Sequence, residues 1–351
     1  NLSGNRSWKV WLDKEAEWKN DKLYLPDEFE LSEMPLNKPS CGWMEMYNSK
    51  GENCKLPTTV EEQFGTSHDW IYNGVSWFYT TFNLTDEWNG KSVWLDIEKY
   101  NHRVEVFINE KLVGYDAVGL LPYKCDISSA LVSGENRIAL RITSAGGIRE
   151  WGGGKVSITG VDKTYISDIF VKNVLPAKAN NIEIEADVIN NYSYDTEGKY
   201  TIEIVEKSSG NVLFCEDFNC YFQKGSNSIK RKIQVPQAKL WSEHSPEIYE
   251  CRMHLKTINS ADSKIQDFGF RIFEVKEVDN KTHFYLNDKR IRFRSSIDWG
   301  IYAFNGLFPT KDAALRSVMA VKSVGHNSLN FHRRAGDISL MDYADSLGVY
   351  I

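Results

Sequence analysis

The sequence predicts a mainly β protein, with two successive β-sandwiches followed by the opening of a parallel α/β arrangement. Apolar and polar residues alternate along many short segments up to about residue 275, which is the period of strands in antiparallel sheets. After about residue 280 the pattern changes to short apolar strands separated by helical segments, which indicates a parallel sheet. Aromatic residues make up 13% of the chain, a content that suits sandwich cores as well as surfaces that stack on sugar rings.

Residues 1–163 are predicted to form the first sandwich together with an irregular, Trp-rich and Pro-rich N-terminal arm. Strand patterns cover residues 93–97, 103–108 and 137–142, and turn signals such as Asn109-Glu110-Lys111 separate them. Period two places alternate residues of each strand on opposite faces of an antiparallel sheet.

Residues 164–276 are predicted to form a second sandwich of immunoglobulin-like size. Alternation is clear over residues 182–188 and 249–255, and strands recur about every 10 to 15 residues. The Cys-Trp-Cys core signature of antibody domains is missing from this segment. We therefore expect the architecture of an immunoglobulin domain without its disulfide.

Residues 277–351 read as strand, helix, strand, helix, strand. The expected elements are a strand at Ile291–Phe293, a helix from Thr310 to Val324, a strand at Ser328–Phe331, a helix from Ile338 to Leu347 and a strand at Val349–Ile351. Thr310 is the expected N-cap of the first helix, and Gly325 and Gly348 follow the two helices as C-terminal stop signals. Parallel strands need neighbours on both sides, so we expect this segment to be an unfinished domain.

Composition and charge exclude several classes of protein. The chain has 351 residues, 42% of them hydrophobic, with 42 Lys and Arg against 48 Asp and Glu, a net charge of −6. This balance is typical of a folded globular protein and argues against a disordered chain or a basic nucleic-acid binder. No run approaches the roughly 18 apolar residues of a membrane-spanning helix. Lys and Arg are scattered among acidic neighbours, as on a solvated surface.

Cysteine and histidine spacing predicts no metal site and no cofactor. The six Cys and seven His lack zinc-ligand spacing, and most of the Cys are expected to be buried. A Cys215–Cys220 disulfide is left open, since a strand-turn-strand would bring the two together. The glycine-rich segment 146–154 lacks the pattern of a phosphate-binding loop and is expected to be a flexible rim loop, with a position near sugar left open. The start at Asn1 suits a removed signal peptide, so we expect a periplasmic or secreted protein, with a cytoplasmic one left open.

Four groups of segments, in order along nearly the whole chain, carry a family resemblance. They are residues 77–79 with 104–114, residues 241–249 with 268–271, residues 284–289, and residues 327–332 with 345–351. Together they resemble family 2 glycoside hydrolases, the group of β-galactosidases, β-glucuronidases and β-mannosidases. Where the family has an Arg two residues before its His, this chain has Asn330, and Arg333-Arg334 replace Tyr-Pro.

The resemblance implies a jelly-roll, galactose-binding-like sandwich, then an immunoglobulin-like sandwich, then the incomplete start of a (β/α)₈ TIM barrel. It further implies that the two catalytic glutamates of a retaining glycosidase lie on later barrel strands, so no catalytic residue is assigned within residues 1–351. Asn109-Glu110 is similar to the Asn-Glu dipeptide that holds the family's acid/base residue, but it is expected to be a solvated hairpin turn. Whether the complete enzyme holds a structural or active-site cation is left open.

Barrel active sites lie at the carboxyl ends of the strands, where three residues are candidates for substrate binding. Asp298 and His332 are expected to hydrogen-bond sugar hydroxyls, and Trp299 to stack on a sugar ring. The alternatives are that Trp299 packs against a sandwich and that His332 is a structural imidazole.

The sequence thus predicts the N-terminal portion of a retaining exo-β-glycosidase that acts on terminal β-linked sugars. Its expected partner is the carbohydrate substrate, and the complete enzyme is a candidate homo-oligomer. A non-catalytic carbohydrate-binding or adhesion module is the alternative, and a degenerate enzyme without its acid pair is a third interpretation.

Overall fold

A computed structural model describes residues 2–3, 7–24, 30–64, 72–119, 121–144, 154–176, 180–300, 309–333 and 336–351. The chain divides into two compact units, residues 1–160 with 300–309 and residues 161–299 with 310–351. Most of the predicted rim loop at 146–154 lies outside the described residues. The prediction of a mainly β protein is confirmed.

The first unit contains nine strands and two short helices within the described residues. The strands are β1 (Trp8–Asp13), β2 (Glu52–Cys54), β3 (Gly74–Leu84), β4 (Ser92–Ile97), β5 (Arg103–Ile108), β6 (Lys111–Asp116), β7 (Tyr123–Asp126), β8 (Gly134–Ser144) and β9 (Val156–Val161), and the helices are α1 (Trp43–Ser49) and α2 (Val60–Phe64). Single 3₁₀ turns occupy Leu31–Glu33, Asp86–Trp88 and Ser128–Ala130.

These strands form a sandwich of a six-stranded sheet, in the order β2-β1-β3-β8-β5-β6, and a three-stranded sheet, β7-β4-β9. Alternate apolar residues of the two sheets meet in one core that includes Phe78, Leu95, Val106 and Leu140. Asn109 and Glu110 form the two-residue β5–β6 turn with φ of 50° and 68°, as expected for a hairpin.

The N-terminal arm covers the second face of the six-stranded sheet, which the sequence pattern did not predict. Trp43 and Met46 of α1 pack on Trp77 and Phe107, and β1 of the arm is itself a strand of that sheet. This covering layer turns a face that alternation alone would leave in water into a second core.

The prediction that the Lys and Arg side chains all lie on a solvated surface is wrong for two arginines under this arm. Arg103 and Arg141 are buried, and both pair with Asp21 of the arm. Arg141 also pairs with the buried Glu105, which accepts a hydrogen bond from Asn37 Nδ2 at 2.6 Å. Buried charges require such partners, because removal of one partner leaves an uncompensated charge. We call Asp21, Arg103, Glu105 and Arg141 the arm cluster.

The second unit contains twelve strands and two helices within the described residues. The strands are β10 (Thr164–Val174), β11 (Asn181–Asn190), β12 (Thr196–Glu206), β13 (Val212–Phe222), β14 (Gly225–Gln234), β15 (Tyr249–Thr257), β16 (Ala261–Phe268), β17 (Phe273–Val278), β18 (Lys281–Leu286), β19 (Lys289–Ile291), β20 (Ser295–Asp298) and β21 (Ser328–Phe331), and the helices are α3 (Lys311–Ser323) and α4 (Ile338–Leu347).

Strands β10 to β16 form the predicted immunoglobulin-like sandwich. One sheet has the order β10-β11-β14 and the other β13-β12-β15-β16, and all neighbouring strands in both sheets pair antiparallel. The core between the sheets includes Ile184, Tyr200, Ile202 and Met253, all fully buried. Cys215 and Cys220 lie five residues apart on the single extended strand β13, about 16 Å along it, so the disulfide left open above does not form.

Strands β20 and β21 are parallel and α3 and α4 pack beside them, which confirms the opening of an α/β arrangement. Thr310 Oγ1 accepts a hydrogen bond from the Ala313 amide at 3.2 Å, as expected of an N-cap. The predicted third strand is represented by a single parallel bridge between Ser328 and Tyr350.

The prediction that Ile291–Phe293 is the first parallel strand is wrong. Lys289–Ile291 instead completes the antiparallel sheet β17-β18-β19, and the first parallel strand is β20, which ends at Asp298 itself. The strand Ser-Ser-Ile-Asp is weakly apolar, and its pairing with a partner some 30 residues later carries no local signal.

Gly348 ends α4 in the left-handed region, with φ of 75°, and a Cβ there would overlap the Glu243 carbonyl oxygen and lie 3.0 Å from the Glu243 Cα. We therefore expect Gly348→Ala to lower the free energy of unfolding by the backbone cost of about 1–2 kcal/mol plus an overpacking cost of about 1–3 kcal/mol. Denaturant unfolding of the full chain measures the change.

Gly325→Ala is the matched control, because Gly325 has φ of 77° and an added Cβ would have nothing within 4 Å of it. It should show the backbone cost alone. Equal losses for the two variants would contradict the close approach of Gly348 to the loop that carries Glu243.

Candidate functional site

The ends of the two parallel strands bring the three predicted substrate-binding residues together. Asp298 is the last residue of β20 and lies opposite Phe331, the last residue of β21. The His332 amide donates a hydrogen bond to the Asp298 carbonyl oxygen at 2.9 Å, which extends the pairing by one residue. The side chains that follow the two strands therefore emerge at one edge.

Trp299 and His332 are in direct ring contact at this edge. Their ring centroids are 4.0 Å apart with an interplanar angle of 38°. Trp299 is 61% exposed, whereas Asp298 and His332 are half-buried. We call Asp298, Trp299 and His332 the strand-end site.

The strand-end site combines groups that suit a polyol ligand. A carboxylate accepts hydrogen bonds from hydroxyl groups, an imidazole can donate or accept one, and an exposed indole offers an apolar face to the C–H groups of a sugar ring. Among residues 295–300 and 328–333, Asp298 is the only carboxylate. The strand-end site alone therefore lacks the pair of carboxyl groups that glycoside hydrolysis requires.

Asn327 fixes the opposite, amino-terminal ends of the same strands. This buried side chain donates from Nδ2 to Glu243 Oε2 at 2.7 Å and to the Arg292 carbonyl at 3.0 Å, and its Oδ1 accepts from the Arg294 amide at 2.8 Å. One amide thus holds the residue before β21, the residues before β20 and the sandwich loop that carries Glu243. The sequence pattern placed Asn327 in a family segment but indicated no role for it.

Trp241 links the immunoglobulin-like sandwich to the α/β segment. Its indole Nε1 donates to the Asp345 carbonyl of α4 at 2.7 Å, and its ring contacts Tyr350 at a centroid distance of 5.7 Å. The Arg271 guanidinium lies 4.9 Å from the Trp241 ring centroid and pairs with the Asp345 carboxylate at 2.7 Å. Burial and the nearby Glu243 carboxylate raise the pKa of Tyr350 to about 12, so this ring stays neutral at physiological pH.

Among the described residues, no group of three or more His, Cys, Asp or Glu side chains is placed to hold a metal ion. Every helix within the described ranges is too short or too polar to span a lipid bilayer.

Two family profiles match the sequence and together cover most of it. Residues 5–178 match the profile described as "Glycosyl hydrolases family 2, sugar binding domain", and residues 164–271 match "Glycosyl hydrolases family 2".

Curated relatives are similar at low identity. The chain is 23% identical over 299 residues to a β-galactosidase of Streptococcus thermophilus, an alignment that covers 80% of this chain and 27% of the relative. It is 24% identical over 375 aligned positions to a β-galactosidase of Clostridium acetobutylicum, which covers 100% of this chain and 39% of the relative.

Solved structures share the fold. A β-glucuronidase of Bacteroides uniformis superposes with a TM-score of 0.78 at 20% identity, over 98% of this chain and 41% of that one. The chain thus spans between about a quarter and two fifths of the length of these three proteins. With both family profiles matched in sequence and the same succession of folds in structure, the chain belongs to glycosyl hydrolase family 2.

Proposed function

We propose that this chain is the N-terminal part of a retaining exo-β-glycosidase that removes terminal β-linked sugars from oligosaccharides or polysaccharides. Residues 1–163 form its sugar-binding domain, residues 164–276 its immunoglobulin-like domain and residues 277–351 the first strands and helices of its catalytic barrel. Relatives named β-galactosidase and β-glucuronidase support a β-linked sugar as the substrate.

The strand-end site is the observation that carries this proposal. In a (β/α)₈ barrel the active site lies at the carboxyl ends of the parallel strands, and Asp298, Trp299 and His332 meet at that edge of β20 and β21. Asp298 and His332 bind hydroxyl groups of the terminal sugar, and the exposed Trp299 ring stacks on its C–H face.

The two catalytic carboxyl groups belong to later barrel strands, outside residues 1–351. Retention requires a nucleophile and an acid/base about 5–5.5 Å apart on opposite sides of the glycosidic bond. The strand-end site supplies one carboxylate only, so its role is to orient the sugar for that pair. The two sandwiches support the barrel and contribute to substrate positioning.

For the complete enzyme we propose a periplasmic or secreted location and a homo-oligomer as its working form.

In the complete enzyme, Trp299→Ala is expected to lower kcat/KM at least tenfold through lost stacking, and Asp298→Ala about a hundredfold through lost hydrogen bonds to the reacting sugar. Steady-state hydrolysis of 4-nitrophenyl β-galactoside and β-glucuronide gives both values. Val324→Ala, 65% exposed before the amino end of β21, is the control and should leave kcat/KM unchanged. Wild-type kinetics in the Trp299 and Asp298 variants would refute the placement of the sugar.

The 351-residue chain by itself is expected to show no turnover of either nitrophenyl glycoside, because we propose that the catalytic pair lies on later barrel strands. The assay compares the purified chain with buffer over hours at high protein concentration. If hydrolytic activity co-purifies with the chain through two columns, the catalytic residues lie within residues 1–351.

A further inference from the structure

A groove of about 910 Å³ lies at one end of the sheet β13-β12-β15-β16 in the immunoglobulin-like sandwich. The ends of three neighbouring strands line it, at residues 196–199, 219–221 and 256–258. Strand β15 starts at Tyr249, whose ring contacts Phe270 beside Trp241, and reaches the groove about 27 Å further along. The groove and the contacts that hold the α/β segment are therefore at opposite ends of the sandwich.

Strand register brings the exposed side chains of the groove into cross-strand rows. Lys199 of β12 lies opposite Asn219 on one side and Lys256 on the other, and Glu197 lies opposite Tyr221. Two large side chains of the groove are exposed to solvent. Tyr221 is 57% exposed, and Ile258, just past β15, is 87% exposed.

Four polar side chains that line the groove have no partner within the described part of the protein. Glu197, Asn219, Tyr221 and Lys256 make no side-chain hydrogen bond or ion pair to any described residue. Lys199 pairs with Asp217 at 3.1 Å, and the Thr196 and Thr257 hydroxyls bond to backbone atoms.

The outer face of the other sheet of the sandwich differs in this respect. There Lys172, Lys230 and Lys232 pair with Glu183 and Glu185. An unpaired polar set around an exposed ring is thus a local property of the groove and not of the sandwich surface in general.

We propose that this groove is a non-catalytic binding site for an oligosaccharide chain. A sugar ring has an apolar C–H face and a rim of hydroxyl groups, and the groove offers the matching surfaces: the Tyr221 ring and Ile258 for the first, and Asn219, Lys256 and Glu197 for the second.

The inference rests on the proposed function for its ligand class. It adds a second contact with the same polymer, which raises the effective concentration of substrate ends at the barrel.

The test is affinity gel electrophoresis of the full chain with soluble β-1,4-galactan in one gel and chondroitin, a β-linked uronate polymer, in another. Retardation of the wild-type chain by at least one polysaccharide is expected, and Tyr221→Ala should raise the dissociation constant at least about fivefold. Lys256→Ala should also weaken binding, because it removes a hydrogen-bond donor without touching the core.

Phe170→Ala is the matched control, since Phe170 is a 53% exposed ring on the other sheet of the same sandwich. It should bind like the wild type. No retardation of the wild type by either polysaccharide, or equal binding by the Tyr221 variant, would overturn the groove proposal.

Hydrolysis of a 4-nitrophenyl glycoside by the complete enzyme separates this proposal from the proposed function. That substrate is too short to reach the groove, so Tyr221→Ala should leave its kcat/KM unchanged while it weakens polymer binding. A reduced kcat/KM in that variant would contradict a separate site. A wild-type enzyme that binds polymer but hydrolyses no glycoside would contradict the proposed function and leave the groove supported.

Discussion

The α/β segment of the second unit depends on the contacts that Trp241 makes. Its backbone pairs with Phe270, its carbonyl accepts from Asn287, and its indole reaches Asp345 of α4, so one residue joins the sandwich, the following hairpin and the last helix. An indole is large enough to contribute packing and still donates one directed hydrogen bond. Because α4 packs on α3 and beside β21, fixing α4 also fixes the edge at which the strand-end site lies.

Buried polar contacts have a similar part in the two units. In the first unit the arm cluster joins the N-terminal arm to the six-stranded sheet through ion pairs, and in the second Asn327 joins two strand starts to a sandwich loop through hydrogen bonds of its amide. Such contacts are costly to leave half-made, so they favour one arrangement of elements over near alternatives. Precise placement of sugar-binding groups needs this kind of support, because catalysis is sensitive to shifts of about 1 Å.

The parts of the fold that local signals encode were predictable from the sequence. Residues 338–347 form the expected helix, because an apolar period of 3.6 precedes a glycine that can adopt positive φ. The position of β20 was missed because Ile291–Phe293 is the more apolar segment, and only pairing with β21 selects Ser295–Asp298. Burial of Arg103 was missed because the arm that covers it carries no strong periodic pattern. The placement of Asp298, Trp299 and His332 at one edge was predictable from their positions after strand patterns, and their role in binding sugar stays a prediction. The groove at Tyr221 depends on register across three strands, which carries no local signal.

The proposed function requires that the carboxyl ends of β20 and β21 hold the terminal sugar of a family 2 substrate. A crystal structure of the complete enzyme with a slowly hydrolysed β-glycoside tests this placement. We expect a sugar ring stacked on Trp299, with hydroxyl groups within hydrogen-bond distance of the Asp298 carboxylate and the His332 imidazole. A sugar bound in the barrel with both side chains beyond hydrogen-bond distance, and with Trp299 packed against protein, would contradict it.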